Sequence, residues 1–163
     1  MAERREWSRR PGLSAALAIG LFAALLAWLG TRTTYFALDE TLYHASAVHY
    51  ASDFPGGIFH DYTARATSRL YALMLAPLFA VLDGDVAIRA AKVLNTALWC
   101  SVAIPLWSMA RDFLSPRRAA VAVTLSVVAP WAVISTALFT EALALASFVW
   151  FTWAAMLAVR SPA

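Results

Sequence analysis

Cysteine is nearly missing from this 163-residue chain: Cys100 stands alone in an apolar run. A single thiol cannot close an internal disulfide, and there is no ligand cluster for a metal, so Cys100 is read as a buried, inert residue. Charge is scarce as well. Only 14% of the residues are Asp, Glu, Lys or Arg and 61% are hydrophobic, whereas an ordinary soluble domain carries about 25% charged residues. A chain so poor in charge has lipid for its solvent. The net charge of +3 is too modest to mark a nucleic-acid-binding protein.

What the chain has instead is long apolar runs. Arg4, Arg5, Arg9 and Arg10 precede the first, Leu13–Leu29. Its length and the want of a clear small-residue cleavage site make it a retained signal-anchor helix rather than a cleaved leader. A span takes roughly 17–25 apolar residues. Three further stretches qualify, so the spans are placed at about residues 13–30, 86–110, 119–138 and 142–159. Pro105 and Pro130 fall inside two of them and are tolerated where neighbouring groups satisfy the freed backbone. Leu70–Leu82 is shorter, holds Pro77, and suits an interfacial helix.

The sidedness of basic residues separates the layouts. With four spans, Arg4, Arg5, Arg9, Arg10, Arg111, Arg117, Arg118 and Arg160 share the N-terminal side, and Arg32, Arg65, Arg69, Arg89 and Lys92 lie opposite, eight against five. If Leu70–Leu82 also crossed, the count would be six against seven. The expected fold is therefore an all-α polytopic transmembrane helix bundle: four spanning helices and two juxtamembrane helices, Leu42–Ala51 and Leu70–Leu82, in an external segment 31–85. The N-terminus is expected to be cytoplasmic in a plasma or inner membrane. Trp28 near the outer interface and Trp107, Trp150 and Trp153 near the inner one fit an aromatic belt.

Candidate chemistry gathers on the external side. Asp39 and Glu40 follow the first span. Adjoining carboxylates at a membrane interface are candidates for a general base; they equally suit the first turn of a helix. Arg89 and Lys92 are three residues apart at the outer end of the second span, and Asn95 and Thr96 continue that face. Such a polar stripe faces a bundle interior or a cavity, and its cations suit a phosphate group; snorkelling to the headgroups is the alternative. Arg65 and Arg69 form a second pair suited to anionic headgroups. Glu141 stands between the last two spans, as a helix cap or as part of an acidic site with Asp39. His44, His49 and His60 lack metal-ligand spacing.

In their order and sidedness these motifs resemble the N-terminal part of the GT-C glycosyltransferases, such as protein O-mannosyltransferases and aminoarabinose transferases. The resemblance rests on Leu38-Asp39-Glu40 with Tyr43 shortly after, on Lys92-Val93-Leu94-Asn95 with Lys92 where the family usually has Arg, and on Thr140-Glu141-Ala142-Leu143. It implies an inverting transfer from a polyprenyl-phosphate-linked sugar to an acceptor at the external face. Asp39 would act on the acceptor with Glu40 and Glu141 assisting, and Lys92 and Arg89 would hold the lipid phosphate. The resemblance assigns no metal and leaves a divalent cation open. Expected partners are the lipid-linked donor, membrane lipids, and further transmembrane segments or subunits, since four spans are fewer than the family's module. A different reading is a small non-catalytic membrane scaffold that packs through Gly20, Ala23, Ala24 and Ala27 on the first helix.

Overall fold

The computed structural model describes residues 2–32, 38–54, 56 and 68–160, with side chains of the first helix described from Pro11 onward. Among these residues the structure is all-α. The helices are α1 (Ala2–Arg32), α2 (Leu38–Ser52), α3 (Arg69–Val81), α4 (Gly84–Ser101), α5 (Ala103–Phe113) and α6 (Pro116–Val127). A 3-10 helix (Pro130–Thr136) and α7 (Glu141–Arg160) complete the chain.

Three stretches are long and apolar enough to cross a membrane: Pro11–Arg32, Gly84–Phe113 and Glu141–Arg160. At 1.5 Å per residue each matches or exceeds a hydrocarbon core of about 30 Å. Their outer faces are those of lipid-facing helices. On α1, Leu13, Leu17, Leu21 and Leu25 project outward at intervals of one turn, while Ala15, Ile19 and Leu26 point inward. On α7, Phe148 and Phe151 are about as open as Leu21. In the interior Ile19, Leu26, Trp99, Val123, Val127 and Val149 form one cluster.

The two internal prolines act differently. Pro105 has no N–H to donate to the Ser101 carbonyl and its ring crowds that group. The helix therefore breaks between Ser101 and Ala103. Val102 nevertheless keeps right-handed helical angles, φ −63° and ψ −18°, and α4 and α5 serve together as one crossing stretch. Pro130 forces a larger change. Ala129, restricted by the proline after it, is extended at φ −60° and ψ 151°, and the 3-10 helix leaves α6 at 52°. The continuous third span expected over 119–138 is thus corrected to a bent pair, either a broken span or a re-entrant loop.

Between the first two crossings, α2 and α3 pack against each other. Tyr43 and Tyr71 meet edge-on with centroids 4.9 Å apart, and His44 lies over Phe79 at the same separation. α2 begins at Leu38 rather than near residue 42, so Asp39 and Glu40 form its first turn. α3 has 13 residues, about 20 Å of helix, too short to cross alone. The course of α1 gives an independent argument. A Cβ at Gly12 would lie 3.3 Å from the Trp107 ring, and one at Gly30 would lie 3.4 Å from Lys92 Cβ. α1 is therefore antiparallel to the α4–α5 stretch. The chain leaves α1 at the same end of the bundle where it enters α4, so residues 33–83 make no net crossing.

Gly84 and Ser115 should consequently lie on opposite faces of the membrane. With Cys100 replaced by Ala, single cysteines at each position should react with a membrane-impermeant maleimide from opposite sides of sealed vesicles. A cysteine fits at Gly84, where nothing lies within 4 Å of the new Cβ. Labelling of both positions from one side would overturn the single crossing.

Candidate functional site

The break at Pro130 leaves backbone groups without helical partners, and one face of α4 supplies them. Lys92, Asn95, Thr96 and Trp99 recur at helical spacing and are all buried. The Trp99 indole N–H donates to the Val127 carbonyl at 2.9 Å, closing the last turn of α6. Asn95 Nδ2 donates to the carbonyls of Ala137 at 2.6 Å and Phe139 at 3.3 Å. The Leu138 N–H donates to Glu40 Oε1 at 2.9 Å, and Lys92 Nζ stands 3.3 Å from the same oxygen. Glu40 and Lys92 are both fully buried. One carboxylate therefore ties together α2, α4 and the segment after the 3-10 helix. The chain has a single lysine and a single asparagine, and both are in this cluster.

Tyr71 closes the site from α3. It is fully buried together with Leu75, against Tyr43 and Leu138. Burial pushes its phenol well above the ordinary tyrosine range; the nearby Asn95 side chain opposes this, and Tyr43, Glu40 and Glu141 add smaller upward contributions. Tyr71 Oη, Asn95 Oδ1 and Thr96 Oγ1 are buried without a hydrogen bond of good geometry among the described residues.

Of the site residues expected from the sequence, Glu40, Lys92 and Tyr43 come together in this cluster. Asp39 is exposed next to Glu40 on the first turn of α2, and Glu141 is exposed on the first turn of α7. Arg89 lies one turn before Lys92 but is not buried with Lys92, Asn95 and Thr96. It is exposed. Snorkelling is corrected for Lys92, whose ammonium points inward to Glu40. Arg69 is exposed at the start of α3, and Arg65 and His60 lie outside the described residues. Burial holds His44 below the ordinary imidazole range. No group of three His, Cys, Asp or Glu side chains suited to a metal ion occurs among the described residues. Tyr71 and the Leu138 N–H were not anticipated; neither has a sequence signature apart from its place in the fold.

Comparisons with protein-family models, curated proteins and solved structures returned no match to this chain.

A buried pair that loses one member leaves an uncompensated charge. Glu40→Gln and Lys92→Met should each lower stability by about 3–5 kcal/mol. The double variant should recover much of that loss, because neither charge remains. Thermal unfolding of the four proteins in detergent measures the cycle. Simple additivity would mean the two side chains do not act as a pair.

Proposed function

We propose that this chain contributes the acceptor-side half of a membrane glycosyltransferase that uses a polyprenyl-phosphate-linked sugar. The observation that carries the reading is the pairing of an exposed carboxylate, Asp39, with an immobilised neighbour, Glu40, at the end of the bundle that also presents Arg89 and Glu141. The distribution of arginines supports an N-terminus in the cytoplasm, which puts this end on the external face.

In the proposed reaction an acceptor hydroxyl gives its proton to the Asp39 carboxylate as its oxygen attacks the anomeric carbon of the donor. The bond from that carbon to the phosphate oxygen breaks, and the electron pair leaves with the polyprenyl phosphate. Arg89 stabilises the charge that develops on the phosphate. Glu141 assists from the start of α7. Lys92 and Glu40 neutralise each other in the structure, so their part is to hold the first turn of α2 rigid and Asp39 in place. A phosphate reaching Lys92 would first have to displace Glu40.

The second reading, a scaffold, has one observation in its favour. Gly20 and Ala24 are exposed on α1, and a Cβ at Gly20 would meet nothing within 4 Å. A partner helix could approach closely there. Donor turnover separates the two readings.

Asp39→Asn should lower sugar transfer by roughly 10²–10⁴-fold, the usual contribution of a general base, in the full-length protein supplied with a lipid-linked sugar. Arg89→Ala should mainly raise the KM for the donor. Undiminished transfer by the Asp39 variant would remove it as the base.

A further inference from the structure

The opposite end of the bundle carries a second concentration of arginines, and their surroundings divide them. Arg111 donates to the Leu114 carbonyl at 3.1 Å, and Arg160 is paired with Asp112. Arg117 and Arg118 have no hydrogen bond or ion pair among the described residues. They sit in the first turn of α6, directly after Pro116. The backbone N–H groups of that turn have no preceding helical carbonyl to bond, and the Ser115 side chain does not cap them. Two guanidinium groups and the positive end of a helix thus converge where the one acidic side chain of the α5–α6 corner, Asp112, is already engaged.

An apolar slot runs from this point along the bundle. It has a volume of about 480 Å³ and lies between Pro11, Ser14 and Ala18 of α1 and Arg117, Val121 and Leu125 of α6. That is within the roughly 300–1,000 Å³ common for ligand sites. From Arg117 to Leu125 it follows a little over two turns of helix, about 12 Å. A second depression, bordered by Arg118, shares Arg117, Val121 and Leu125 with it. The shape is a shallow apolar groove with arginines at one end. Small side chains on α1 line its floor, where α1 presents Ser14, Ala15 and Ala18.

We propose that this slot binds an anionic glycerophospholipid, with the phosphate at Arg117 and Arg118 and one acyl chain along Ala18, Val121 and Leu125. Charge complementarity selects this occupant. A basic recess at a helix end favours a net negative headgroup, and a zwitterionic one would bring its own cation against two arginines. The site is separate from the Glu40–Lys92 cluster and does not depend on the proposed enzymatic activity.

The test is native mass spectrometry of the full-length protein released from bilayers holding equal amounts of phosphatidylglycerol and phosphatidylcholine. The wild type should retain phosphatidylglycerol about thirtyfold over phosphatidylcholine, the order expected for two basic residues at an anionic surface. Arg117→Gln/Arg118→Gln should abolish the preference, whereas Arg111→Gln/Arg160→Gln should preserve it. Val121→Trp, which keeps both charges but fills the groove, should reduce the retained lipid; it also stands as the test should the double arginine variant fail to fold. Equal retention of the two lipids by the wild type would overturn the proposal. So would an unchanged preference after loss of Arg117 and Arg118, undiminished lipid in the Val121 variant, or displacement of the lipid by millimolar inorganic phosphate.

Discussion

Buried backbone polar groups have no water to turn to, and the Glu40 carboxylate answers that constraint where the bundle is least regular. Past Pro130 the chain has left the α-helix, and the Leu138 N–H faces the interior. Glu40 accepts its hydrogen bond, and Lys92 neutralises the carboxylate that does so. Asn95 meets the two flanking carbonyls from the same helix face. Non-helical backbone in a protein interior persists where its polar groups are paired in this way. The pair also anchors α2, so the position of Asp39 follows from the repair of a helix break several elements away.

The contrast between the two prolines shows how local geometry sets the architecture. Both remove a helical hydrogen bond. Before Pro105 the chain stays helical at Val102, and the axis continues. Before Pro130 the chain becomes extended at Ala129, and the axis turns. The turn brings Ala137, Leu138 and Phe139 against α4, where Asn95 and Glu40 meet them. Trp99 closes the end of α6 one turn deeper. A straight third span would have left these polar side chains without the backbone groups they serve.

The two ends of the bundle consequently differ in kind. At one, charged groups are drawn inward and fixed, with Asp39, Arg89 and Glu141 exposed around them. At the other, the arginines stay at the surface, and the apolar slot beside Arg117 opens between helices that touch through small residues. Rigid pairing suits a site that must hold geometry, whereas open cations beside a shallow apolar groove suit a ligand that brings both a charge and a chain.

Composition and the spacing of apolar runs were sufficient to read the helical class, the first, second and last stretches long and apolar enough to cross a membrane, and the α3 region as too short to do so alone. These properties depend on the partition of side chains between lipid and water, which acts residue by residue along the chain. Sequence also pointed to Lys92 and Asn95 as members of a polar stripe, since a charged or amide side chain within an apolar helix needs a protected partner. It did not separate Arg89 from that stripe, because helical spacing states which residues share a face but not how far a covering element extends. The division of Asp39 from Glu40, the bend at Pro130 and the entry of Tyr71 were decided by tertiary structure alone. Each depends on contacts between residues far apart in the chain. Glu40 and Leu138 are 98 positions apart, and no local pattern encodes that a carboxylate in one segment will receive the amide freed by a proline in another.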